Sequence, residues 1–149
     1  MPSRLIRDGI SFLMPSSTFP AQFEFLDEIR EFVAEVARDG GFSEKAIYSL
    51  QLAADEAASN IIEHAYEGTT DASLELTCDM RGDTIIIALR DWGRPFDPSE
   101  VKEPNISADL ADRQIGGLGM YLMRKLMDSV KYESGSRTGN LLTMTKRRV

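Results

Sequence analysis

Apolar residues recur along the chain at two different periods, and each change of period marks an element. Between Pro20 and Asp39, Phe25, Leu26, Ile29, Phe32, Val33 and Val36 form a stripe at i, i+1, i+4, i+7, i+8 and i+11, which predicts a helix with one buried face. Gly40-Gly41 ends it. Ser43 then serves as the N-cap of a second, longer helix reaching Tyr66, with Glu44 well placed against the helix dipole and Ile47, Leu50, Ala54, Ala57 and Ile61 at spacings of three and four. The period next falls to two. Leu74, Leu76, Cys78 and Met80 alternate with polar residues, Arg81-Gly82-Asp83 turns the chain, and Thr84 to Arg90 continues as a more buried strand.

The ends of the chain complete the pattern. Leu5 to Met14 predicts one strand, closed by Pro15-Ser16-Ser17. Gly116-Gly117-Leu118-Gly119 introduces a third helix over Met120 to Met127, with Leu118, Tyr121, Leu122 and Leu126 as its core stripe. Val130 to Glu133 and Leu141 to Lys146 read as two closing strands joined by a turn rich in Gly, Ser and Asn. Asp91 to Pro98 is a loop dense in Asp, Gly and Pro, and Ser99 to Gln114 is polar without a period, as functional loops often are. The order β-α-α-β-β-loop-α-β-β predicts an α+β fold: a two-layer α/β sandwich with helices on one face of a mixed, mainly antiparallel sheet.

Bulk composition narrows the function. At 149 residues, 42% of them hydrophobic, the chain fits one domain spanning 1–149 with a sizeable core. No apolar run reaches membrane-span length, and the first residues lack a signal-peptide core, so a cytoplasmic location without a membrane partner is expected. A net charge of −7 argues against direct nucleic-acid binding, and the basic Lys146-Arg147-Arg148 is expected only to solvate a terminal strand. One cysteine and one histidine argue against a Cys- or His-based metal cluster; Cys78 reads as a core thiol and His64 as a helix-end residue satisfied by backbone.

Three polar features fall at the edges of regular elements. Glu56 and Asn60 lie four residues apart, on one face of the second helix. They are either a solvated stripe or a pair aimed at one point: the amide oxygen can ligate a hard cation, and the carboxylate can accept a proton. Asp55 lies about 100° around the helix from Glu56, so only one of the two shares a face with Asn60. Asp91 closes a buried strand, where it can start a turn or accept a hydrogen bond from an exocyclic amine, with Gly93 allowing a base to lie close. Gly116-Gly117-x-Gly119 can be a tight turn or an anion cradle at a helix start. Neither a P-loop nor a dinucleotide-binding fingerprint is present.

Together these stretches resemble a known family. Glu56-Ala-Ala-Ser-Asn60-Ile-Ile-Glu-His64-Ala-Tyr66 resembles the N box of the GHKL (Bergerat-fold) ATP-binding superfamily, and more narrowly that of the anti-sigma-factor serine-protein kinases. Asp91 to Pro98 resembles their G1 box, Gly116 to Asp128 their G2 box with its helix, and Leu141 to Met144 their late strand. The resemblance implies the cofactors ATP and Mg²⁺, with Glu56 as general base and Asn60 as metal ligand. It places Asp91 on the adenine amine, supported by Gly93 and Thr143, and Gly117, Leu118 and Gly119 on the phosphates. Residues 99–115 would form a lid from which Arg113 reaches the phosphates or the partner. The implied partners are a small antagonist (anti-anti-sigma) protein and a sigma factor, with a serine phosphatase in the same pathway and a homodimer as the family's assembly. The implied function is ATP-dependent phosphorylation of a serine or threonine on the antagonist. The alternative is an ATP-binding regulatory module that binds its partner without phosphoryl transfer. A sensor histidine kinase fits less well, because an upstream phosphoacceptor-helix domain is not expected and the only histidine of this sequence lies inside the N box.

Overall fold

A computed structural model of the chain describes residues 3–7, 10–14, 16–65, 72–95, 115–135 and 138–149. Two strands, β1 (Ser3–Arg7) and β2 (Ile10–Met14), pair antiparallel with Arg7 opposite Ile10. The single strand expected over Leu5 to Met14 is therefore two, split at the Asp8-Gly9 dipeptide, which is itself a hairpin-turn signal. A third strand, β3 (Ser16–Pro20), lies where the chain was expected to turn and enter a helix. It pairs with β4 (Ser73–Arg81), setting Phe19 beside Leu74. Helix α1 (Leu26–Asp39) begins only after a 3₁₀ turn, Phe23–Phe25.

The main sheet has the order β3-β4-β5-β7-β6, with β5 (Thr84–Asp91), β6 (Ser129–Gly135) and β7 (Gly139–Arg147), and every neighbouring pair is antiparallel. Its core face carries Phe19, Leu74, Leu76, Cys78, Ile85, Ile87, Leu89, Leu142 and Met144, all buried. Strict alternation leaves the other face to partly exposed residues such as Thr77, Ala88 and Thr143. The Cys78 thiol is buried among apolar neighbours, as expected, and burial pushes its pKa up to about 12.

Helix α1 packs on α2 (Glu44–Asn60) through small residues: Ala34 and Ala37 on one side, Ala53, Ala54, Ala57 and Ala58 on the other. Ile29 and Val33 of α1 are fully buried, whereas Phe32 and Val36 are only partly buried against this core. Gln51 Nε2 also donates to the Arg30 carbonyl, 3.2 Å away. Ser43 caps α2 as predicted, its Oγ accepting from the Ala46 N–H at 3.1 Å. Phe42, buried just after Gly40-Gly41, donates its N–H to the Ala37 carbonyl at 3.0 Å and closes the end of α1.

Helix α3 (Ile115–Leu126) packs on the other flank of α2. Its buried positions among the described side chains are Met120 and Met123, continued by Met127. Of the expected stripe, Leu126 packs against the core only partly buried, Tyr121 and Leu122 are half-buried, and the side chain of Leu118 lies outside the described residues. Unbranched methionine side chains suit the irregular gap between helix and sheet, and the half-buried Tyr121 has the Lys125 Nζ over its ring. The basic end does more than solvate a strand. Lys146 Nζ donates to the Leu126 carbonyl at 2.9 Å, where a cation complements the C-terminus of α3, and Arg147 pairs with Asp83. No helix among the described residues is long and apolar enough to cross a membrane.

Candidate functional site

The site begins at the C-terminal end of α2. There the helix passes into a π-helical turn, Ile61–Ala65, where the sequence predicts one continuous helix. A π turn accommodates an extra residue and re-aims the side chains that follow it, and such turns recur at functional sites. Asn60 Oδ1 lies just before it, buried with no hydrogen-bond partner among the described residues. Glu63 Oε2, inside the turn, is in the same state. His64 Nε2 stands 3.6 Å from that oxygen, outside hydrogen-bond reach, so the contact does not satisfy it. The half-exposed His64 ring faces that carboxylate.

Glu56 lies one turn before Asn60 on the same helix face. Its pKa is raised above the ordinary glutamate value, first by burial and then by the Asp55 and Glu63 carboxylates. Asp55 is bound to Arg30 of α1, which also holds Asp27, so its charge is committed to the contact between the two helices. The choice between adjacent carboxylates is thereby made by packing: Asp55 ties α2 to α1, and Glu56 shares its face with Asn60.

The second part of the site joins β5 to β7. Asp91 ends β5 on the core face and pairs in register with Asn140. Both are 4% exposed. Asp91 Oδ1 accepts two hydrogen bonds, from the Gly93 N–H at 2.9 Å and from Asn140 Nδ2 at 2.9 Å. Asn140 Nδ2 also donates to the Gly93 carbonyl at 3.0 Å. A buried carboxylate is costly unless it is hydrogen-bonded, and here both bonds converge on one oxygen.

Asn140 was missed in the sequence, and Thr143 was expected in its place beside Asp91. The register puts Thr143 opposite Ala88 and Lys131, on the face of the sheet away from Asp91. A period of two forces this: if Leu142 and Met144 face the core, so does Asn140, and Thr143 cannot. That alternation was the available signal. Gly139, just before Asn140, has φ +75°, and a Cβ there would lie 2.5 Å from the Asp91 carbonyl oxygen and 2.9 Å from Trp92 Cδ1. The start of β7 therefore lies directly against the Asp91 carbonyl and the half-exposed Trp92 ring.

The third part is the start of α3. The helix opens at Ile115, so Gly116, Gly117, Leu118 and Gly119 form its first turn instead of a loop before Met120. The first four N–H groups of a helix have no intrahelical partner and carry the positive end of its dipole. Gly117 and Leu118 contribute two of these amides, and with Gly119 they belong to a helix packed against α2, which carries Glu56 and Asn60. Arg113 and the rest of the expected lid before Ile115 lie outside the described residues, as does Tyr66 at the expected end of α2.

An oxygen with no partner, a carboxylate with a raised pKa, a carboxylate held at a strand end and a glycine-rich helix start fit a nucleotide-binding site. The neutral, hard Asn60 oxygen suits a magnesium ion, which takes few protein ligands and completes its shell with phosphate and water.

Comparison with known proteins identifies the family and the fold. The family model of the histidine kinase-like ATPase domain matches residues 19–146. The chain is 34% identical over 134 residues to the serine-protein kinase RsbW of Halalkalibacterium halodurans, covering 87% of this chain and 80% of that protein. It is 32% identical over 122 residues to the serine-protein kinase RsbW of Listeria innocua, covering 78% of each. Among solved structures, the RsbU and RsbW domains of a Mycobacterium tuberculosis protein superpose with a TM-score of 0.60 at 18% identity, over 89% of this chain and 32% of that one. The catalytic domain of the histidine kinase ThkA superposes with a TM-score of 0.52 at 11% identity, over 89% of this chain and 95% of that one. The α+β sandwich predicted from the order of elements is thus the fold of these ATPase domains, and the chain belongs to the histidine kinase-like ATPase domain family, on its branch of RsbW serine-protein kinases.

Proposed function

We propose that the chain is an ATP- and Mg²⁺-dependent serine/threonine-protein kinase of the anti-sigma type, which phosphorylates a small antagonist protein and sequesters a sigma factor. The observation that carries this reading is the buried, unpartnered Asn60 Oδ1 one turn from the Glu56 carboxylate. An orphaned buried acceptor costs roughly 1–3 kcal/mol, which a bound cation would offset.

In this reading Asp91 accepts a hydrogen bond from the adenine amine, and the α3 amides hold phosphate oxygens. Glu56 takes the proton from a serine or threonine hydroxyl as that oxygen bonds to the γ-phosphorus. The bond from γ-phosphorus to the β–γ bridging oxygen breaks, and ADP leaves. A carboxylate with a raised pKa suits this task, because a general base works best when its pKa lies near the operating pH. Magnesium, held at Asn60, would supply charge neutralisation on the phosphates. The relatives' name supports the serine acceptor. A single domain over 1–149, a lid at about 99–115 with Arg113 in it, a cytoplasmic homodimer and a phosphatase in the same pathway belong to the same proposal.

The test is phosphoryl transfer. The purified chain, incubated with γ-labelled ATP, Mg²⁺ and its antagonist protein, should label the antagonist, and Glu56→Ala should abolish labelling while nucleotide still binds. A wild-type chain that binds both ATP and antagonist yet transfers no label would be a binding module, and the kinase reading would fail. Asn60→Ala should remove the Mg²⁺-dependent part of ATP affinity. Equal wild-type affinity with and without Mg²⁺ would reject Asn60 as the ligand.

A further inference from the structure

Asn140 makes contacts that a filler of sheet space would not need. An aspartate at a strand end can swing about its side-chain torsions and offer either oxygen to a ligand. Asp91 cannot do so freely, because the Gly93 N–H and Asn140 Nδ2 both bind Oδ1 at 2.9 Å. The second hydrogen of the same Asn140 amide goes to the Gly93 carbonyl at 3.0 Å. One side chain thus ties both ends of the Asp91-Trp92-Gly93 turn. It uses one carboxylate oxygen and one neighbouring backbone acceptor.

The clamp is itself held. Asn140 is 4% exposed and sits in register opposite Asp91 in the β5–β7 ladder. It follows Gly139, whose missing Cβ lets the start of β7 lie close to the Asp91 carbonyl. Its position relative to Asp91 is fixed by sheet backbone, so it can set the direction of the carboxylate.

We infer that Asn140 is a positioning residue that sets base specificity: by binding Asp91 Oδ1 and the Gly93 carbonyl, it leaves Oδ2 as the acceptor aimed at the incoming base and so selects purine nucleotides with an amino group at position six. This rests on the proposed contact between Asp91 and the base. A purine with a donor there meets a fixed acceptor. A purine with hydrogen there leaves Oδ2 unpaired, and one with a carbonyl oxygen sets two acceptors against each other.

Isothermal titration in the presence of Mg²⁺ tests the inference, with ATP and purine riboside 5′-triphosphate, which lacks only the six-amino group, as probes. Wild type should prefer ATP by about 10- to 100-fold, the range for a hydrogen bond to a charged group. Asn140→Ala should shrink that preference by about tenfold, mainly through weaker ATP binding, because the carboxylate is no longer aimed. Asn140→Ser, which keeps one donor, should fall between the two and provides the measurement if the alanine variant does not fold. Equal weakening of both nucleotides in either folded variant would make Asn140 merely structural and overturn the inference. A wild-type preference that both variants retain in full would overturn it as well. Equal wild-type affinity for the two nucleotides would instead reject the contact between Asp91 and the base, and the specificity role with it.

Discussion

Replacing Gly139 by alanine tests the packing at the heart of the site. Two costs follow from its surroundings. With φ +75°, an alanine must adopt the left-handed region, at about 1–2 kcal/mol. Its Cβ would also lie 2.5 Å from the Asp91 carbonyl oxygen and 2.9–3.0 Å from Trp92 Cδ1 and Nε1. The Trp92 ring is half exposed and can move, but the Asp91 carbonyl belongs to the sheet backbone and cannot. Overpacking of this kind costs about 1–3 kcal/mol, so the total is about 2–5 kcal/mol. For a chain of this length each kcal/mol lowers Tm by about 2–4 °C. Gly82, in the β4–β5 turn, is the internal control. It has φ +62° but nothing within 4 Å of a built Cβ, so Gly82→Ala should show the backbone cost of about 1–2 kcal/mol alone. Urea and thermal melts of both variants, followed by far-UV circular dichroism, measure the difference. ATP titrations should show loss of affinity for Gly139→Ala only. If Gly139→Ala costs no more than Gly82→Ala, the start of β7 does not press on Asp91, and the account of how that carboxylate is held is wrong.

Three further outcomes follow from the same physics. The raised Glu56 pKa means that the folded chain binds this proton more tightly than the unfolded chain does, so stability falls as pH rises from the ordinary glutamate range through the raised folded value. Glu56→Gln should therefore raise the urea midpoint relative to wild type at pH 8 but not at pH 4, while abolishing phosphoryl transfer; no gain at pH 8 would contradict the assigned environment. Met123→Ala should cost about 2–5 kcal/mol and Leu122→Ala at least about 1 kcal/mol less, since Met123 is fully buried and its neighbour is not. Equal losses in urea titrations would mean that the buried face of α3 is misassigned. Cys78 should react with a thiol reagent at pH 8 roughly a thousandfold more slowly in the folded chain than in urea, because burial pushes its pKa up to about 12 and depletes the thiolate. Rapid labelling of the folded chain would show that β4 opens locally.

Much of this architecture was legible in one dimension. The helical period of Ile29 and Val33 and of Ile47, Leu50, Ala54 and Ala57 marked α1 and α2, and the alternation of Leu74, Leu76 and Cys78 marked β4, because each element buries one face and its period repeats locally. Glu56 and Asn60 could be placed together from sequence for the same reason: four residues is one turn. What the period could not supply was the partner across the fold. Strand β3 is short and flanked by prolines, and only its pairing with β4 makes it a strand. The methionine face of α3 emerges only when the helix is set on α2 and the sheet.

The site divides along the same line. Sequence alone determined that a carboxylate, an amide, an Asp-x-Gly turn and a glycine-rich helix start occur in this order. Tertiary structure decided which of their neighbours take part. Arg30, reaching from α1, commits Asp55 and leaves Glu56 on the face with Asn60. Sheet register brings Asn140 to Asp91 across 49 positions of chain and turns Thr143 away. The physical reason is range. Helix and strand periods are set by bonds within a few residues, whereas a buried carboxylate takes its partners from whatever backbone the packed sheet lays beside it.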